Sequence, residues 1–353
     1  MSIYINGRFL LQPQTGVNRF AYEMTKAIIK QEDNIRVIMP YGEVSDDYDV
    51  SDFNIIRVGK HFGRSHLWEQ IILPLYFVIH NGLLLNFTSV GPIFVFNKYI
   101  TIHDLAFIEH PCWYSKAYYL FYRIFTPLSA FTAKQILTVS NFSKTEIIAK
   151  LHISEAKIHI IYNAVSSIFK NYFSENRVCI TDEKYILAVS TLDPRKNFSY
   201  LLQAFQQWNN PNGVKLYIVG GKNAVFANMD ICENVNVKWL GRVSDPELVG
   251  YYRNAQCFVY PSLYEGFGIP PLEAMACGTP VIVSNIPPHR EVCADAALYI
   301  DALDYESLVK AFDLLSSDND LATKMRNRGK MQCERFSWAI SAERLLKVVS
   351  DSR

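Results

Sequence analysis

The stretch YEGFGIPPLEAMACGTPVI (264–282) sets Glu265 and Glu273 eight residues apart, among three glycines and three prolines. Paired carboxylates can hold hydroxyl groups or steady a carbon that becomes positive during reaction. Either glutamate alone could equally cap a turn or complement a helix dipole; the pair in this frame points to a site. Gly266 and Gly268 permit backbone angles and close approaches that other residues resist. Pro270 and Pro271 suit the first positions of a helix, and the spacing predicts a short helix over 272–277, stopped by Gly278 and Pro280. CFVY (257–260) and VIVS (281–284) are apolar runs of the kind that form buried parallel strands. The unit is therefore strand, glycine loop, helix, strand. The mouth of such a loop is an anion site, because free amides and the positive end of the helix dipole face it.

Other loops converge on the same rim. In TLDPRKNF (191–198), Arg195 and Lys196 follow a strand and precede a helix. Alone they would be solvated turn charges; two adjacent cations at a strand's carboxyl end suit a diphosphate, with arginine able to bind it through two donors. YIVGG (217–221) ends in glycines at this rim, and LGRVSDPEL (240–248) adds Gly241 and Val243 before a helix capped by Ser244 or Asp245. A nucleoside-diphosphate ligand fits the set. Its phosphates take Arg195, Lys196 and the helix start near Gly266–Gly268, its base the backbone near Gly241–Val243, and its hydroxyls the two carboxylates. In the first half, Gly16 marks a strand-to-helix break in QPQTGVNRFAYEM (12–24), and His103 with Asp104 follows a buried strand in TIHDLAFIEHP (101–111). A lone histidine is usually structural; His-Asp at a carboxyl end raises the odds of function. No H-x-x-H, D-x-D or similar cluster occurs, so no metal site and no cofactor are expected.

The elements that must position these residues alternate between strand and helix in two blocks, which predicts two doubly wound α/β domains. The expected boundaries are 1–165 and 166–335, with 166–179 as a linker. A terminal amphipathic helix (336–353) is expected to pack back on the first domain. Ligands of such sheets bind at the carboxyl ends of the strands, so two facing sheets would share a cleft. The 353 residues suffice for two domains, and the net charge of +1 argues against a general nucleic-acid binder. The seven cysteines are scattered, which suggests reduced thiols and a cytoplasmic setting. The greasiest region (71–87) is broken by Pro74, His80, Asn81 and Gly82 and falls short of a membrane span. Outside the acidic stretch 31–52, residues 1–165 carry 14 basic and 6 acidic side chains, together with the aromatic run WYSKAYYLFYRIF (113–125). That run reads either as a core helix with a few solvated lysines or as a surface for anionic lipid.

The stretch around Glu265 and Glu273 resembles the E-x7-E signature of glycosyltransferase family 4, and VSTLDPRKN, TVSNFSK, HDLAFIEHP and the terminal FSW helix fit the same family. The resemblance covers nearly the whole chain. It implies the GT-B fold, with two Rossmann-like domains facing across a cleft. It also implies a retaining, metal-independent transfer of a sugar from a nucleotide-sugar donor to an acceptor bound by the first domain. Carried over by position, Glu265 contacts the donor sugar and Glu273 its ribose, with Phe267 inside that donor-binding motif. Lys196 holds the diphosphate, His103 lies beside the transferred sugar, and Gly16 matches a glycine loop near acceptor and phosphate. Where the family commonly has an arginine before the lysine this chain has Thr191, and Arg195 supplies the charge instead. That P-R-K-N subgroup resembles bacterial mannosyltransferases of surface-polysaccharide assembly. The expected reaction is hexose transfer from GDP-mannose to a lipid-linked oligosaccharide or glycan, with peripheral contact at the inner face of the cytoplasmic membrane. The alternatives are a dTDP-rhamnose, UDP-glucose or UDP-N-acetylglucosamine donor, or a binding relative without turnover; a dehydrogenase lacks its G-x-G-x-x-G.

Overall fold

A computed structural model describes residues 2–60, 62–63, 65–171, 181–191, 193–210, 212–221 and 235–352. The chain divides into two compact units, Met1–Asn163 with Ser337–Arg353, and Ala164–Phe336.

In the first unit, short apolar runs become the strands β1 (Ile3–Asn6), β2 (Ile35–Met39), β3 (Ile55–Arg57), β4 (Leu83–Asn86), β5 (Lys98–Thr101), β6 (Gln135–Thr138) and β7 (Ile158–Ile160). They pair in parallel in the order β3-β2-β1-β4-β5-β6-β7. Every residue of β1, β4 and β5 is buried, as expected of strands covered on both faces. The helices α1 (Gly16–Ile29), α2 (His66–Ile79), α3 (Ala106–Glu109), α4 (Lys116–Thr132) and α5 (Asn141–Leu151) make the crossovers. The order reverses between β1 and β4, which opens the crevice where such sheets bind ligands.

The second unit repeats the plan with β8 (Tyr185–Val189), β9 (Lys215–Val219), β10 (Val237–Gly241), β11 (Cys257–Tyr260), β12 (Val281–Ser284) and β13 (Ala297–Ile300), in the order β10-β9-β8-β11-β12-β13. Its helices are α6 (Ser167–Asn171), α7 (Phe198–Gln207), α8 (Asp245–Asn254), α9 (Ile269–Ala276), α10 (Pro287–Cys293), α11 (Tyr305–Ser317) and α12 (Asn319–Glu334). The reversal falls between β8 and β11. Apolar side chains of β8, β9, β11 and β12 meet those of α7 and α11 in one core that contains Ile186, Leu216, Val259, Leu201 and Phe312.

The last helix, α13 (Trp338–Asp351), belongs to the first unit. Ser341 donates to the Tyr162 carbonyl at 2.7 Å, and the Trp338 and Phe20 rings meet edge to face at 5.7 Å.

Several elements differ from the sequence reading. Instead of a featureless linker, 166–179 begins with α6, while 172–179 lies outside the described residues. The greasy region holds the end of α2, which accommodates Pro74 inside the helix, followed by β4. The helix after the glycine loop starts at Ile269, three residues early, because Gly268 turns the chain at φ +99° and the prolines fill the first turn. No helix among the described residues is long and apolar enough to cross a membrane. The five described cysteines are free thiols, four buried and Cys112 exposed; Cys179 and Cys232 lie outside the described residues.

Candidate active site

The reversal between β8 and β11 brings two loops side by side. After β8, the Asp193 carboxylate accepts the Arg195 N–H at 2.9 Å and caps a single 3-10 turn, Pro194–Lys196. Asn197, left-handed at φ 58°, ends that turn and starts α7. The Leu263 N–H donates to the Arg195 carbonyl at 2.8 Å and so ties this turn to the loop after β11.

Across that seam the side chains pair. Lys196 Nζ donates to Glu265 Oε1 at 2.6 Å and to the Tyr260 hydroxyl at 2.5 Å. Arg195 Nη1 lies 3.5 Å from the other oxygen, Glu265 Oε2. Lys196 and Glu265 are only 8% and 6% exposed, so neither charge is tolerable without the other. Burial opposes ionisation of Glu265, but Lys196 and Arg195 outweigh it and hold the carboxyl down at about 2. Burial also pushes the Lys196 ammonium below its ordinary value, with Glu265 pulling it back up. A carboxylate ionised at 2.6 Å keeps Lys196 an ammonium at neutral pH. Asp193 Oδ2 also lies 3.9 Å from Arg195 Nε, so in this cluster two cations face two carboxylates.

Behind the glycine loop sits a residue the sequence reading passed over. His289, on α10, is fully buried, and its Nδ1 donates to the Ser284 carbonyl at 3.0 Å. A carbonyl only accepts, so the proton sits on Nδ1 and Nε2 is a bare lone pair with no hydrogen-bond partner. Burial holds this imidazole at about 4, hence neutral. A Cβ at Gly268 would lie 3.5 Å from Nε2, so the ring lines the underside of the loop. The only sequence signal was a histidine in PPHRE directly after a strand.

Glu273 lies on α9, buried, and accepts the Tyr252 hydroxyl at 3.3 Å. The two glutamates thus keep separate partners. Pro270 and Pro271 remove two amide donors from the first turn of α9, which leaves the helix dipole, the loop amides and the nearby cations as the positive groups at this end. The Phe267 ring packs edge-on against Phe336 at 5.5 Å. At the neighbouring loops Gly220 donates to the Gly241 carbonyl at 2.8 Å. A Cβ at Gly220 would strike the Ser190 carbonyl oxygen at 1.7 Å, whereas Gly241, at φ +70°, faces open space. Val243 is half-buried beside it.

In the first unit, His103 Nε2 donates to the Phe87 carbonyl at 2.9 Å, and burial holds the ring neutral. Asp104 accepts the N–H of Ala106, the first residue of α3, at 3.1 Å. Gly16 is the first residue of α1, and a Cβ there would meet nothing within 4 Å. The reversal between β1 and β4 holds a buried polar network absent from the sequence reading. Glu69, fully buried, accepts from Asn6 Nδ2 at 2.7 Å and meets His66 Nδ1 at 2.7 Å and Arg8 Nε at 3.0 Å. Burial opposes its ionisation, but His66 and Arg8 prevail. Among the described residues, no group of three or more His, Cys, Asp or Glu side chains gathers as metal ligands do.

Residues 173–332 match a family model described as glycosyl transferases group 1. The chain is 34% identical over 236 residues to the O-antigen chain mannosyltransferase RfbU of Salmonella typhimurium, an alignment spanning 65% of this chain and 64% of that protein. It is 27% identical over 360 residues to the O-antigen chain mannosyltransferase B of Escherichia coli, spanning 92% and 93%. Among solved structures it resembles WaaG, a glycosyltransferase involved in lipopolysaccharide biosynthesis, with TM-score 0.75, 14% identity and 99% coverage of both chains. It likewise resembles Anabaena HepE, solved with UDP and glucose, with TM-score 0.76, 17% identity and 99% coverage of both chains. At these identities the likeness shows the fold, two Rossmann-like α/β domains of the GT-B class.

Proposed function

We propose that this chain, whose residues 173–332 belong to the glycosyl transferases group 1 family, is a retaining, metal-independent mannosyltransferase of surface-polysaccharide synthesis that uses GDP-mannose. The observation that carries the reading is the buried Lys196–Glu265–Arg195 cluster, set where the strand order of the second unit reverses. Two relatives named as O-antigen mannosyltransferases support the sugar and the pathway class.

In this reading the second unit binds the nucleotide sugar. Lys196 and Arg195 meet the diphosphate, whose charge grows as its bond to the sugar's anomeric carbon breaks. Cations already fixed in a dry site stabilise that charge without reorganising, which removes the need for a metal ion. Glu265 steadies the sugar as its anomeric carbon becomes cationic, and holds Lys196 in place. Glu273 binds the ribose, the loop amides around Gly266–Gly268 the phosphates, and Gly241–Val243 the base. The first unit binds the acceptor, a glycan or lipid-linked oligosaccharide at the inner face of the cytoplasmic membrane. There the neutral His103 offers its Nδ1 lone pair to a hydroxyl of the transferred sugar, and Gly16 leaves room for a ligand.

Purified chain incubated with GDP-mannose and a lipid-linked acceptor should release GDP and form a mannoside whose anomeric configuration matches the donor's, in buffer with excess EDTA. An inverted product or dependence on added Mg²⁺ or Mn²⁺ overturns the mechanism. Faster transfer from dTDP-rhamnose, UDP-glucose or UDP-N-acetylglucosamine overturns the donor.

A further inference from the structure

The carboxyl ends of β1 and β4 carry a polar network with one place unfilled. Asn6 closes β1, Asn86 closes β4, and the Asn6 amide joins them. Its Nδ2 donates to Asn86 Oδ1 at 2.6 Å and to Glu69 Oε1 at 2.7 Å, while its Oδ1 accepts the Arg8 N–H at 3.2 Å. The other carboxylate oxygen, Glu69 Oε2, meets His66 Nδ1 at 2.7 Å. Glu69 is fully buried, and both of its oxygens are occupied. It is held in one position.

Arg8 is the member whose needs are not met. Its side chain is 10% exposed, and Nε lies 3.0 Å from Glu69 Oε1 without the alignment of a hydrogen bond. Among the described residues the guanidinium has no other ion pair and no hydrogen-bond acceptor. A guanidinium carries five N–H donors in a rigid fork, and burying them without acceptors costs free energy. Glu69 offsets the charge but leaves the fork's donors to a ligand.

The rings beside the fork narrow what that ligand is. Phe121 lies tilted against His66 at 4.8 Å, and Tyr118 and Tyr122 stack at 4.2 Å. Burial raises the Tyr122 phenol, while the Tyr118 hydroxyl and the Arg8 cation draw it back, so this ring lies within the field of Arg8. Tyr122 is half-buried and Tyr118 is 41% exposed. A pyranose has an edge of hydroxyls and a flat face of C–H groups. A donor fork next to an aromatic ring matches both. A phosphate would use the fork and leave the rings without a partner.

We propose that Arg8 and the Tyr118–Tyr122 rings form a saccharide subsite in the first unit, with Arg8 donating to hydroxyls of the acceptor glycan and Tyr122 packing on the face of one sugar. Glu69 is a positioning residue, which holds the fork and touches no sugar. The inference rests on the proposed transfer for the sugar's role as acceptor, not for its binding. The test is saturation-transfer NMR of the full chain with methyl glycosides of mannose, galactose, glucose and N-acetylglucosamine. Wild type should saturate at least one of them. Arg8→Lys keeps a cation against Glu69 but loses the fork, so affinity for that glycoside should fall roughly tenfold or more. Tyr122→Leu should weaken binding several-fold, and Tyr122→Phe, which keeps the ring, should restore it. GDP affinity, read by calorimetry, should hold in all three variants, which separates a lost subsite from a lost fold. Wild type that saturates none of the four glycosides overturns the proposal, as do Arg8→Lys and Tyr122→Leu chains that bind as wild type does. Binding of inorganic phosphate that depends on Arg8 would make this an anion site and overturn it too. Glycoside binding that these variants weaken, in a chain that transfers no mannose, would keep the subsite and sink the proposed activity.

Discussion

Both units place polar groups at the carboxyl ends of their strands, yet the residues assigned to the site are held differently. In the second unit the side chains hold one another, with Lys196 on Glu265 at 2.6 Å and Arg195 on the same carboxylate at 3.5 Å. In the first unit His103 is held by a backbone carbonyl and by the edge of Phe20, and a Cβ at Gly16 would meet nothing within 4 Å. Removing one charge of a buried pair strands the other. Removing a histidine from a carbonyl strands only a weak acceptor. Substitutions in the Lys196–Glu265 pair therefore mix effects on stability and on rate, and those at His103 and Gly16 can separate them.

The largest effect tests the mixture directly. Glu265→Gln keeps the shape and removes the anion, so kcat should fall on the order of 10²–10³ with little change in donor KM. The same change leaves Lys196 buried without its counter-charge, and unfolding of the second unit should lose about 3–5 kcal/mol. Denaturation of Glu265→Gln, Lys196→Met and the double variant separates the two causes, because the double should cost less than the sum of the singles. Additive losses would mean that the pair is not coupled. Glu273→Ala, whose partner is the Tyr252 hydroxyl, should act on KM instead. If it abolishes kcat while Glu265→Gln turns over normally, the two roles are reversed.

Next in size is Lys196→Ala measured as binding. Loss of a charge-assisted contact to the diphosphate should weaken GDP affinity by roughly 1.5–3 kcal/mol. Calorimetry on the folded variant reads it. Unchanged affinity would assign Lys196 to holding Glu265 alone.

How much of this was legible in sequence depended on range. Arg195, Lys196, Glu265 and Gly268 were visible because each sits in a short loop between a recognisable strand and helix. Their pairing was not, since Lys196 and Glu265 are 69 residues apart and meet only after the sheet forms. Tyr260 was hidden as the last residue of an apolar strand, and Glu69 as a single acid before a greasy run. The aromatic run at 113–125 suggested a core helix as readily as a surface one. Burial decides between them: α4 keeps only small residues inside, a pattern that aromatic content cannot reveal. Gly220 is glycine because a Cβ would strike the Ser190 carbonyl, and it needs no ligand to explain it.

Protonation gives a smaller contrast. Burial holds His289 at about 4 and also lowers His103 from the ordinary 6.5. Between pH 6.5 and 4 the unfolded chain takes up a proton that folded His289 refuses, so stability falls as pH falls through that window. Glu265 acts lower. Its folded value of about 2 lies under the ordinary 4.5, so its contribution is complete above pH 4.5 and is lost as pH falls toward 2. Melting temperature against pH should flatten between 6.5 and 4 in His289→Gln, and between 4.5 and 2 in Glu265→Gln. An unchanged slope in either variant would assign that window to other groups.

The smallest effect comes from Gly16→Ala, and it probes the first unit with least disturbance. Gly16 opens α1, where Thr15 caps the helix by accepting the Asn18 N–H at 3.4 Å. Its φ is not in the left-handed range, and the added methyl would meet nothing within 4 Å. Alanine is also the better helix former, by up to ~1 kcal/mol. The fold therefore gives no reason for glycine here, and the melting temperature should hold or rise slightly. A ligand that approaches the backbone at the start of α1 gives such a reason, because the methyl would occupy its space. Transfer should then fall several-fold through KM while stability is kept, a separation that no substitution in the Lys196–Glu265 pair can achieve. Unaltered kinetics in Gly16→Ala would remove this residue from the binding surface.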